Sequence, residues 1–215
     1  MSSDHQTLLE NDSASDFSAL RRGGREALAA LLERHRERLQ RMVLLRLDRR
    51  AQGRIDPSDV LQETFLEASE RLEGYLAQPD LSPFLWLRFL TAQKLLQLHR
   101  RHLGAQVRDA AREISLYRRA FPEATSAALA ARLVGQRTSP SNAAIRAEMK
   151  LKLEEAINTM DSGDREVLAL RHFEHLTAAE TAKVLGIQEG AAAKRYLRAM
   201  GRLREILERL GVRGD

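Results

Sequence analysis

A chain of 215 residues has room for one large domain or two small ones, and a composition that is 43% hydrophobic but only 5% aromatic favours helices over strands. The absence of cysteine excludes disulfides and thiolate metal sites and fits a reducing compartment. The net charge of +5 is modest but unevenly placed. Residues 84–103 carry cations and no acid, and residues 183–213 carry eight Lys or Arg against three Glu. Two separate basic stretches suggest two contacts with a polyanion, although any one of them alone is more often a solvated helix face.

Residues 1–16 are polar and acidic, lack the pattern of a signal peptide, and read as a disordered lead. No later run approaches the roughly 20 apolar residues of a membrane span. The expectation is a cytoplasmic protein without membrane insertion. From Asp16 to about Arg50 apolar residues recur at three- and four-residue steps (Leu28, Leu31, Leu32, Leu39, Met42, Val43, Leu47), a helical period that Gly23-Gly24 should break in two. Asp56-Pro57-Ser58-Asp59 is a sharp helix start: a capping carboxylate, proline at the first position and an acid at the positive helix end. The apolar face of that helix is Val60, Leu61, Phe65 and Leu72. The segment 73–83, rich in Gly, Pro and Asp, ends it. A densely apolar helix with a basic C-terminal half follows over Phe84–Leu103.

Residues 104–144 mix Ala-rich pieces with Pro, Gly, Ser and Thr. One or two short helices would fit there, but the stretch reads as a long linker. A second domain then starts near Ser139-Pro140, with helical patterns at 141–160, 164–174, 178–185 and 189–210. The most specific local signal lies in its last two helices. Thr177 and Glu180 form a capping box, Ala182 is small where two helices must cross, Gly186 suits a left-handed turn, and Ile187 plugs the space behind it. That spacing is the helix-turn-helix. On the second helix Ala192, Tyr196, Met200, Leu203 and Leu207 should face inward. Lys194, Arg195, Arg198 and Arg202 fall outward, where cations can reach phosphates or guanine edges.

Two blocks together resemble a family. DPSDVLQETFLEASERLEGYL with FLWLRFLTAQKLLQLHRRH is similar to region 2 of sigma-70 factors, and the block from Met160 to Leu207 is similar to region 4. Their order, with a linker and no intervening domain, resembles the extracytoplasmic-function group of RNA polymerase sigma factors. The resemblance implies an all-α fold of two small helical domains, residues 17–103 and 145–213, joined by the linker. It further implies that Asp59, Gln62, Glu63 and Phe65 dock on the clamp helices of the polymerase β′ subunit, with the β subunit also contacted. It implies that Phe84–Leu103 and the loop before it read and open the promoter −10 element, through Arg88, Gln93, Lys94, His99, Arg100 and Arg101. Trp86 and Phe89 are possible stacking groups there, with core packing the more ordinary role. Lys194, Arg195, Arg198 and Arg202 are placed on the −35 duplex. Ala191-Ala192-Ala193 and Tyr196 depart from the usual pattern, so base specificity does not carry over. Promoter DNA and core polymerase are thus the implied partners, and an anti-sigma factor a further one.

No Gly-rich phosphate loop, nucleophile elbow or metal-ligand spacing is present, and HFEH at His172–His175 is not a metalloprotease motif. The sequence therefore predicts no catalytic residues, no metal and no cofactor. The alternative reading is a stand-alone helix-turn-helix regulator that grips duplex DNA without polymerase. A sensor domain would have no reason to place a basic helix after an acidic one.

Overall fold

The computed structural model describes residues 3–47, 53–103, 123–135 and 143–210, and every regular element among them is helical. In chain order these are α1 (Ser3–Arg34), α2 (Arg36–Arg46), α3 (Pro57–Ala77), α4 (Pro83–Leu103), α5 (Ser126–Gly135), α6 (Ala143–Asn158), α7 (Ser162–Leu168), α8 (Ala178–Leu185) and α9 (Glu189–Arg209). A π turn at Ala169–Phe173 follows α7 directly. The contacts divide the chain into two compact units, Met1–Val43 with Arg49–Phe121, and Leu44–Asp48 with Pro122–Asp215. Composition favoured helices and the resemblance implied an all-α fold, and among the described residues that holds.

In the first unit α1, α3 and α4 pack on one another. The disordered lead expected over residues 1–16 is instead helical from Ser3. Its end is anchored by Asp16, which is buried, ion-paired with Arg34 and 3.6 Å from Nε2 of His35. A polar stretch looked like a tail because its carboxylate's partners lie eighteen residues further on. The Gly23-Gly24 break appears as expected, with Gly24 at φ 52, ψ −127 inside α1. Asp56 caps α3 by accepting from the Ser58 N–H at 2.7 Å. Below it Val60, Leu61, Thr64, Ala68, Leu72 and Tyr75 are buried, whereas Phe65 is only half-buried.

α4 is covered almost all round at its start, where Phe84, Leu85, Trp86 and Leu87 are all buried. Trp86 stacks flat on Tyr75, with centroids 4.1 Å apart and planes 8° from parallel. Core packing thus describes Trp86, as the more ordinary of its two readings held.

His35 shows how burial makes this unit pH-sensitive. Burial and then the Arg38 cation lower its pKa from the usual value of 6.5, against a smaller upward pull from Asp16. The unfolded chain therefore takes up the proton first as pH falls through 6.5, and stability drops until the lowered folded value is passed. Trp86 fluorescence should show a lower urea midpoint at pH 5.5 than at pH 7.5, and His35→Gln should flatten that difference. Equal pH dependence in both proteins would remove His35 as its source.

In the second unit α5 packs on α6, and α9 on α6, α7 and α8. α5 lies inside the stretch read as linker, of which residues 104–122 and 136–142 fall outside the described residues. Its Leu129, Ala130, Leu133 and Val134 join the same core as Leu153, Ile157, Val167, Phe173, Leu203 and Ile206. Ser126 ties it further, donating to Asn158 Oδ1 at 2.6 Å. Alanines at helical spacing can fill an interface while contributing little to an apolar pattern, which is why the helix was hidden.

The same core encloses a charge. Arg46 is fully buried, and its two terminal guanidinium nitrogens pair with Glu166 and Glu174. Glu166 also accepts from the Ala124 N–H at 3.0 Å, and the Leu45 carbonyl accepts from the Thr125 N–H at 2.9 Å. Burial alone would lower the pKa of Arg46, but the two carboxylates more than offset it and the net direction is upward. The helix expected over 164–174 is α7 plus the π turn, in which the Glu174 N–H donates to the Ala169 carbonyl at 2.9 Å. That extra residue per turn points Glu174 into the core.

Candidate nucleic-acid interface

α8, its turn and α9 form the helix-turn-helix. The Thr177 side chain accepts from the Glu180 N–H at 3.0 Å, and Glu180 accepts from the Thr177 N–H at 2.8 Å. Gly186 ends α8 in the left-handed region, φ 61 and ψ 39, and the Ile187 N–H donates to Ala182 at 3.0 Å. A β-carbon at 186 would strain that turn. α9 buries Ala192, Ala199, Leu203, Ile206 and Leu207, with Tyr196 and Met200 half-buried. The Tyr196 ring lies under Arg171, 5.3 Å from centroid to Cζ.

The four expected cations of α9 are not equivalent. Lys194 and Arg198 are exposed. Arg195 is half-buried and lies along the first turn of α7, so close that a β-carbon at Gly163 would sit 3.0 Å from its Nη1. Arg202 donates to the buried Asp164 carboxylate at 2.5 Å. It braces α7 against α9 while its own side chain stays 55% exposed. A shallow hollow of about 470 Å³ is lined by Ile187, Ala191, Lys194, Arg195, Leu197 and Arg198. Leu197, 69% exposed, was missed in the sequence, where only cations were sought on the outer face. An apolar hollow edged by cations offers contact to a thymine methyl as well as to phosphates.

In the first unit the structure sorts the −10 candidates. Arg88 and His99 are buried, at 1% and 6% exposure, and do not face solvent. Lys94 pairs with Glu67 at 2.5 Å, and that hydrogen bond, ahead of the cost of burial, holds the Glu67 carboxyl below its usual range. The correction has a simple cause: α4 is packed on most of its circumference, so cations counted along it are partly interior. Gln93 is half-buried, and Arg100 and Arg101 are exposed. Towards the start of α4, the turn between α3 and α4 opens a cavity of about 420 Å³, with Gly74, Tyr75, Gln78, Asp80, Trp86 and Phe89 in its wall. The Tyr75 hydroxyl donates to the Leu81 carbonyl at 2.8 Å and pins that turn.

The opposite side of α3 carries Asp59 and Gln62, both exposed, and Glu63 and Phe65, both half-buried. Leu66, 55% exposed, shares this face and was missed. A helical wheel would have found it, since 59, 62, 63 and 66 recur at three- and four-residue steps.

Comparison with known proteins fits this arrangement. The family described as "Sigma-70, region 4" matches residues 150–203, which span α7, the π turn, α8 and most of α9. The ECF RNA polymerase sigma factor SigD of Mycobacterium tuberculosis is 28% identical over 190 residues, 88% of this chain and 81% of that protein. Over most of its length this chain is therefore similar to extracytoplasmic-function sigma-70 factors. The probable RNA polymerase sigma factor RfaY of Xanthomonas campestris pv. campestris is 29% identical over 153 residues. That match takes in 70% of this chain but only 34% of RfaY, so the chain spans about a third of that relative's length. The solved structure of CnrH in complex with the cytosolic domain of CnrY shares the fold, with a TM-score of 0.50 at 21% identity over 91% of this chain and 94% of CnrH. Among the described residues no helix is long and apolar enough to cross a membrane, and no cluster of His, Asp or Glu could hold a metal ion.

Proposed function

We propose that this chain is a sigma factor that acts in the cytoplasm by binding core RNA polymerase and directing it to promoters, with each helical unit taking one DNA element. The helix-turn-helix with its cation-edged hollow is the observation that carries the reading. α9 enters the major groove of the −35 element, with Lys194, Arg195 and Arg198 on phosphates or base edges. Arg100 and Arg101 track the −10 strand, and the cavity beside Tyr75, Trp86 and Phe89 takes a base unpaired from it. Binding an unpaired base stabilises open DNA over the duplex without covalent chemistry by this chain. Asp59, Gln62, Glu63, Phe65 and Leu66 face the polymerase clamp helices. An anti-sigma factor is a further proposed partner, suggested by CnrH having been solved with the cytosolic domain of CnrY.

Transcription from a promoter library with purified core polymerase tests the whole reading. Initiation that requires both components supports it, whereas tight duplex binding without any response of the polymerase would favour a stand-alone regulator. Gly74 gives a sharper test of the cavity. A β-carbon there meets nothing within 4 Å, so Gly74→Phe should fill the cavity while leaving α3 intact. Its expected effect is about tenfold or greater weakening of a single-stranded −10 probe, the scale of one lost base stack. Unchanged probe binding would place the base elsewhere.

A further inference from the structure

α1 is kinked at Gly24 in a conformation that other residues rarely adopt, φ 52 and ψ −127. A β-carbon at Gly24 would meet nothing within 4 Å, so it is the backbone conformation and not a steric clash that calls for glycine. The kink has a visible result in the next residue. Arg25, itself exposed, lays its guanidinium over the Phe65 ring of α3, with Cζ 5.5 Å from the ring centroid. Phe65 is half-buried and lies one turn from Gln62, at the edge of the face that carries Asp59, Glu63 and the exposed Leu66. A ring closed on one side by a cation has fewer orientations left to it.

We propose that Arg25 is a positioning residue for polymerase docking: it fixes the Phe65 ring beside Leu66 and adds a cation from a second helix to the acidic face of α3. The docking surface then spans α1 and α3, and it fits a partner that presents both signs of charge around an apolar centre. Ordering Phe65 before the encounter removes part of the entropy cost of binding. The planar guanidinium matters as well as the charge, since it can lie flat on a ring as an ammonium cannot. This rests on the reading that α3 docks on core polymerase.

The experiment measures binding of the full chain, fluorescently labelled, to core polymerase, with thermal melts of each variant. Leu66→Asp checks the docking reading by itself and should weaken binding strongly. Arg25→Ala should weaken it about three- to fivefold, the scale of an exposed cation–π contact, with little change in melting. Arg25→Lys should fall between the two. In a Phe65→Leu background, Arg25→Ala should cost nothing further. Equal weakening in both backgrounds, or none in the native one, would overturn the proposal while the docking reading stands. Normal binding by Leu66→Asp would overturn both.

Discussion

Glu174→Ala is expected to destabilise the second unit by about 3–5 kcal/mol, the scale of removing one partner from a buried ion pair. Arg46 has no exposed surface and Glu174 has 1%, so water cannot replace the lost carboxylate. Glu166, at 12%, would still pair with the guanidinium. Arg46→Ala should be as damaging for the opposite reason, since it leaves two carboxylates facing each other in an apolar core. Replacing all three by apolar residues of similar volume should recover much of the loss, because the triad is costly to break and not costly to do without. Urea unfolding followed by far-ultraviolet circular dichroism measures each case. Trp86 is the single tryptophan and lies in the other unit, so its fluorescence serves as an internal reference. A loss below about 1 kcal/mol for Glu174→Ala would mean that the site behaves like a surface pair.

The second large effect concerns DNA. Replacing Lys194, Arg195 and Arg198 together by alanine should reduce the slope of log affinity against log salt by roughly 2 to 3 on a −35 duplex, at about 0.9 per phosphate contact. Affinity at low salt should fall by orders of magnitude, and the fold should be retained. Arg202→Ala makes the contrast. Its partner is Asp164 in the core between α7 and α9, so its loss should lower thermal stability and leave the salt slope nearly unchanged. An equal slope change for Arg202→Ala and Arg198→Ala would return Arg202 to the DNA contacts.

Much of this was legible in the chain because local rules and tertiary structure agree. The Asp56-Pro57 start, the Thr177–Glu180 box and the left-handed Gly186 each stand where short-range chemistry puts them. The readings that failed share a different character. Asp16 and Lys94 look like surface charges in sequence, yet each is held by a partner distant in the chain. Arg88 and His99 were counted as DNA-facing because they stand among cations, whereas the orientation of α4 turns them inward. Helical periodicity says which residues share a face; it does not say how many faces are covered. α5 was obscured for a related reason, since alanine is neither polar enough to mark a loop nor large enough to mark a core.

The π turn at Ala169–Phe173 makes the length of this segment as consequential as its composition. A π turn holds one residue more than the α turn it replaces, and each residue rotates a helix by about 100°. The extra residue is thus absorbed within the turn, whereas one further residue inserted into α7 would swing whatever follows by that angle. The carboxylate now at Glu174 would leave Arg46, and α8 with its Thr177 cap would turn away from its place against α9. One added codon there, with no charged residue altered, would disarm the buried triad and misdirect the helix-turn-helix together.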